Sequence, residues 1–204
     1  MTRIFSFKHN GTIHTLNWRD SLFNINNCVY VKHGKIEKNI VDVEKVYVTK
    51  SIVKQYNLHA SEYKLKSFNY DAPVENIKFY TGKGQVGLNN LKSIGVDMNK
   101  SVHKGLYLTV NKTLAKQYAI RRFISDYNQE FKRKYPNIPD WTTNVLTLKF
   151  NTDEYLLPDE DYVISYVSKL VRNREEVKKI YVKWLNFSGG IGLRELHNIG
   201  YTEL

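Results

Sequence analysis

The sequence predicts an α+β protein built on one core, and three observations predict it. Segments rich in Val, Ile and Tyr crowd the N-terminal part of the chain. From Asn76 onward, short apolar runs alternate with stretches whose apolar residues recur every three or four positions. No tract is repeated or of low complexity. With 204 residues, 42% hydrophobic and 25% charged, the chain can bury one good core and no second full-sized one.

Arg3 to Phe7 and Thr12 to Leu16 flank Asn10-Gly11, a pair that supplies the positive φ angles of a tight hairpin turn. Cys28 to Lys32 and Val41 to Thr49 read as further strands, with a turn at His33-Gly34. Residues 1–73 are therefore expected to form a β-rich N-terminal extension or subdomain, ending near Asp71-Ala72-Pro73, and residues 74–204 the main domain.

In that second part, Ile77 to Thr81 reads as a short buried strand, and the glycine-rich turn Gly82 to Gly87 leads into a helix bearing Leu88, Leu91 and Ile94. Gly95 stops the helix, and Leu106 to Val110 is the next strand. Asn111 is expected to cap a long helix running to about Lys134, because its side chain can accept from free N–H groups of the first turn. Pro136 and Pro139 close that helix. A strand from Val145 to Phe150 follows, then helices at Glu160 to Val171 and Glu175 to Asn186. Ser188-Gly189-Gly190 breaks the chain before a last short helix from Leu193 to Asn198, with Gly200 as its stop.

Composition narrows the function. Cys28 is the single cysteine, so no internal disulfide forms, and a reducing compartment is expected. The N-terminal stretch carries no apolar run between its charges, and no uninterrupted apolar segment approaches the roughly 18 residues of a membrane span, so the expected location is cytoplasmic, the host's cytoplasm for a phage or viral protein. A net charge of +11 favours acidic or polyanionic partners, nucleic acid among them, although the lysines are scattered and outnumber the arginines.

Several chemistries find no anchor. Gly82, Gly84 and Gly87 satisfy GxGxxG, but a dinucleotide fold needs an acid closing the next strand, where Asn111 stands. Lys83 is not followed by Ser or Thr, which argues against a nucleotide phosphate loop. The six histidines show no metal-binding spacing, and no metal is expected. No serine sits in a GxSxG elbow. Asp159, Glu160 and Asp161 precede an apolar-periodic segment and read as acids that complement a helix dipole.

The segment from Lys78 to Ala119 does stand out. Tyr80-Thr81-Gly82, the helix from Leu88 to Gly95, Gly105-Leu106-Tyr107-Leu108-Thr109 and Ala115-Lys116-Gln117-Tyr118-Ala119 follow one another in the order seen in bacterial and phage ADP-ribosyltransferases, a superfamily this chain resembles over residues 77–201 or so. The late Leu193 to Tyr201 stretch resembles that family's helix followed by Gly-Tyr. The resemblance implies a split, mostly antiparallel sheet with flanking helices around an NAD cleft, NAD being consumed as substrate while ADP-ribose passes to a protein or nucleic-acid acceptor.

By the same resemblance Gly82 would let the backbone approach the nicotinamide carboxamide, Tyr107 would stack on the ring, Thr109 would hydrogen-bond in the pocket, and Tyr80 would support the strand. Thr81 stands where the family has a His or Arg, and Lys83 offers a charge nearby. The family's catalytic glutamate follows its Gly-Tyr element, which points to Glu203, with Glu195 as the nearest acid before it. The alternatives are a basic, non-catalytic interaction protein of phage or viral type, or a degenerate transferase fold serving as such a module.

Overall fold

A computed structural model describes residues 4–49, 51–52, 65–97, 105–126 and 141–188. Two strands, β1 (Phe5–His9) and β2 (Thr12–Leu16), form a hairpin of their own. Asn10 and Gly11 both take positive φ, at 49° and 79°, so the turn is the tight one expected of that pair. The hairpin packs through Phe5, Phe7 and Leu16 against the C-terminal helices, and His9 is paired with Glu176 at 2.8 Å.

The remaining strands build one antiparallel sheet. They are β3 (Asn27–Tyr30), β4 (Ile40–Val48), β5 (Phe79–Lys83), β6 (Leu106–Thr109), β7 (Trp141–Leu148) and β8 (Leu156–Pro158), in the spatial order β4-β7-β5-β6-β3-β8. Every pair is antiparallel. β3 and β4 come from before Pro73 and the other four from after it, so the sheet does not part at the expected boundary; among the described strands, only the β1–β2 hairpin stands outside it.

Helices cover both faces. On one, Trp18 and Leu22 of α1 (Trp18–Ile25) and Leu88 and Leu91 of α2 (Gln85–Ser93) pack on Cys28, Phe79, Leu108, Leu146 and Leu156. On the other, α3 (Lys112–Asp126) covers Val46, Val48 and Val145, while α4 (Glu160–Leu170) and α5 (Arg174–Ser188) cover Val29 and Leu157. No described helix is long and apolar enough to cross a membrane.

Several expectations hold and several move. Asn111 caps α3 through its side-chain oxygen, which accepts from Leu114 N–H at 3.2 Å. Asp159 caps α4 in the same way, accepting from Asp161 N–H at 2.9 Å. α1 and β8 lie in stretches read as neither helix nor strand. α1 is set up by a reciprocal cap in which Asn17 and Asp20 each accept from the other's N–H at 3.1 Å. β5 runs through Lys83, two residues past the expected end, because its ladder with β7 continues to Lys83 opposite Asn144. Gly82 is therefore a strand residue and Gly87 a helical one, and the glycine-rich turn contracts to Gly84. β7 likewise begins at Trp141, ahead of Val145, carried by its pairing with β4. The far end of the helix expected to reach Lys134, and the helix expected at Leu193 to Asn198, fall outside the described residues.

Candidate functional site

β5 and β6 are neighbours, and the one register pair between them sets Tyr80 opposite Thr109. Residues directly opposite in a ladder share a face, and alternate residues along a strand return to it. Tyr80, Gly82, Thr109 and Tyr107 therefore lie on the same face, with Thr81 on the other. Thr81 is buried and pairs with Leu146. Four of the five residues expected to hold NAD are thus brought together, from strands separated in sequence by α2. The fifth points away from them.

Tyr80 packs with the α3 cluster and Tyr107 with the α4 and α5 cluster, so the line from Tyr80 through Thr109 to Tyr107 runs between the helices that cover this face. Both tyrosines remain partly exposed, whereas Thr109 is 3% exposed. The Thr109 hydroxyl oxygen accepts from Asn111 N–H at 3.1 Å, fixing the turn from β6 into α3. The Tyr107 hydroxyl donates to the carboxylate of Glu160, in the first turn of α4. Glu160 stands in the first turn of α4, where an acid complements the helix dipole as expected, and at 2% exposure it is also a buried carboxylate on this face.

Gly82 has a different reason to be glycine from the one the sequence suggests. A Cβ built there would sit 2.6 Å from Ala119 Cβ and 2.8 Å from the α3 backbone. The missing side chain lets α3 cross close to β5, and approach to Gly82 from this face is closed by that helix. A ligand's access to the Gly82 peptide is limited to its strand edge.

Lys83 follows, with its stem beside Gly87, where a Cβ would lie 3.4 Å from Lys83 Cδ. Burial pushes its ammonium below the ordinary lysine range, and the Arg122 guanidinium of α3 pushes it the same way. Two cations thus stand near each other at the end of β5. Glu195 and Glu203, the acids expected to act in catalysis, lie outside the described residues. Among the described residues no group of three His, Cys, Asp or Glu side chains is placed to hold a metal.

What sequence reasoning missed is the bond from Tyr107 to Glu160, an acid it read only as a helix-dipole partner. Glu160 lies 53 residues from Tyr107, and nothing local to either announces the contact. No family model matches the chain, and neither the curated proteins nor the solved structures yield a match.

Proposed function

We propose that this chain is an ADP-ribosyltransferase-like protein that binds NAD along the line between β5 and β6 and transfers ADP-ribose to an acidic macromolecular acceptor. The observation that carries the reading is the placement of Tyr80 opposite Thr109, which puts both motif strands side by side with Gly82 and Tyr107 on the same face. The single register pair between these strands supports a sheet that parts beyond Tyr80, as a cleft for an extended dinucleotide requires.

In this reaction the bond between ribose C1′ and the nicotinamide nitrogen breaks, nicotinamide leaves neutral, and the acceptor's nucleophile bonds to C1′ and gives up its proton. Tyr107 offers the leaving ring an aromatic face, held in orientation by the Glu160 carboxylate. Lys83 and Arg122 supply positive charge for the diphosphate. Glu195 or Glu203 takes the part of the carboxylate that stabilises the cationic ribose.

The test is calorimetric titration of the whole chain with NAD, coupled to an assay of nicotinamide release with and without cell lysate as acceptor. Binding with release is expected. Absence of binding at about 1 mM NAD, the upper end of the usual KM range, would sink the reading.

A second reading, a basic interaction protein without catalysis or a degenerate transferase fold used as one, is favoured by a specific observation. Gly82 and Tyr107 are each accounted for by contacts inside the chain, with Ala119 and Glu160. Its signature is affinity for nucleic acid that falls steeply with salt as phosphate contacts are lost. Against it, Lys112 of the basic helix α3 is already paired with Glu44 at 2.7 Å.

A further inference from the structure

β4, β7 and β5 are neighbours in the sheet, and one lateral row across them reads Lys45, Asn144, Lys83. Residues directly opposite one another share a face, and Leu146, two positions on from Asn144, belongs to the cluster that Leu88 and Leu91 of α2 complete. The row therefore lies on the α2 face, opposite to that of Tyr80, Gly82 and Tyr107. α2 begins just after Lys83, so its first turn stands at the end of β5 beside the row, and a Cβ on Gly87 would lie 3.4 Å from Lys83 Cδ. We infer that Lys83, Lys45, the Asn144 carboxamide and the first turn of α2 form a binding site for a phosphate group, either free phosphate or a terminal phosphomonoester. The site goes beyond the NAD reading and stands without it, since the two share Lys83 alone.

The charge argues for an anion. Lys83 is partly buried, and burial, the Arg122 guanidinium and the positive end of α2 all oppose its ammonium. Among the described residues no carboxylate answers it. Neither Lys83 nor Lys45 is joined to an acid, and Glu44, next to Lys45 in sequence, is paired with Lys112. Asn144 is 2% exposed, yet no described residue hydrogen-bonds its carboxamide. A buried amide in that position is costly until a ligand oxygen accepts from it.

The donors around the row narrow the choice. Gly84 caps α2 without a side chain, so the N–H groups of Gln85, Val86 and Gly87 await an acceptor from outside the helix. The first turn is open to one: Val86 is 75% exposed, and a Cβ on Gly84 would meet nothing within 4 Å. Lys45 and Lys83 stand about 10 Å apart at Cα, two strand spacings, with Asn144 between them. Their long stems can close on one ion over that row. A carboxylate offers two oxygens in one plane and a single charge. A phosphate spreads its oxygens in several directions and carries nearly two charges, so it can accept from both lysines, the carboxamide and the helix end together.

The experiment is calorimetric titration of the whole chain with inorganic phosphate, with glycerol phosphate and with acetate as control, at constant ionic strength and without NAD. One phosphate per chain is expected, with no heat from acetate. Lys83→Met, which keeps the apolar stem, should weaken phosphate binding by about tenfold or more, since each charge-assisted contact contributes on that scale. Lys45→Gln should weaken it less, its ammonium being more exposed. Lys92→Gln, which removes an exposed charge from the last turn of α2, should leave it unchanged. Thermal melts in phosphate-free buffer check that each variant folds, and added phosphate should raise the melting point of the wild type but not of Lys83→Met. Glycerol phosphate binding tighter than phosphate would identify the monoester as the source, and equal or weaker binding would identify free phosphate. Three outcomes would overturn the site: no binding at about 10 mM phosphate, unchanged binding in Lys83→Met, or a loss in Lys92→Gln as large as in Lys83→Met.

Discussion

The Tyr107 hydroxyl donates to the buried carboxylate of Glu160, tying the middle of β6 to the first turn of α4. Through that bond a residue of the candidate NAD line depends on a helix that the line does not otherwise include. Charge-assisted hydrogen bonds of this kind are stronger than neutral ones, and leaving a buried acceptor short of a donor is costly.

Tyr107→Phe is accordingly expected to lower stability by about 1–3 kcal/mol while keeping the aromatic ring. Urea unfolding measures the loss, and NAD titration of the same variant should show affinity close to that of the wild type. Tyr107→Ala should lose NAD binding altogether. Equal NAD affinity in wild type and Tyr107→Ala would remove Tyr107 from the site.

Gly82→Ala should destabilise by about 1–3 kcal/mol, because the new methyl group meets the Cβ and backbone of Ala119 with no room to relax. Ala119→Gly in the same chain should recover only part of the loss, since the α3 backbone at 2.8 Å remains in the way. A double-mutant cycle by thermal or urea unfolding measures the coupling. Independent, additive effects would mean that α3 does not cross β5 here.

Lys83 makes a prediction with a sign. Its folded-state pKa lies below the ordinary value of 10.5, through burial first and Arg122 second. Between the two values the unfolded chain binds the proton and the folded chain does not, so stability rises as pH climbs through that window. Below it the folded protein bears the full cost of a charged, partly buried lysine. Lys83→Met should therefore stabilise the protein at neutral pH, and the advantage should shrink as pH approaches 10.5. Urea midpoints across that range test it; a variant less stable than wild type at pH 7 would mean that the charge is satisfied in the folded state.

Cys28 is fully buried between β6 and β8, and burial pushes its thiol well above the ordinary range, with the charge of Asp159 adding to the effect. Thiolate is the reactive form, so an aromatic disulfide reagent should label the native protein only at the rate of unfolding. Rapid labelling of folded protein would show that β8 opens on its own.

Glu44 and Lys112 form an exposed pair at 2.7 Å, with the carboxyl pKa lowered and the ammonium pKa raised by their hydrogen bond. The lowered carboxyl stabilises the fold above the ordinary 4.5 and loses that effect as pH falls through its folded value. The raised ammonium does so below 10.5 and loses it as pH rises through its own. Solvent screens the pair, so Glu44→Gln should cost less than about 1 kcal/mol at pH 7, and less again at high salt. A larger, salt-insensitive loss in urea unfolding would show that Glu44 does more than pair with Lys112.

What could be read locally was read correctly where the physics is local. The positive φ angles at Asn10 and Gly11, the cap at Asn111 and the acids in the first turn of α4 each depend on residues within three or four positions. The Asn17 and Asp20 pair that starts α1 is equally visible in the sequence, but a helix of eight residues is too short for apolar periodicity to declare itself. Strand ends were misjudged at β5 and β7 because a strand runs as far as its neighbour pairs with it, and the neighbours come from distant parts of the chain.

By itself, then, the sequence determined the α+β class, the hairpin, the cap at Asn111 and the net positive charge, all of which follow from composition or from interactions spanning a single turn. Only the tertiary structure decided that strands from both sides of Pro73 share one sheet, and that Thr81 faces away from Tyr80 and Gly82. It also decided that Gly82 makes room for α3 and that Glu160 meets Tyr107. Those outcomes turn on which face a residue takes once strand order is set, and strand order is chosen by the burial of the whole core, to which no single stretch of sequence holds the key.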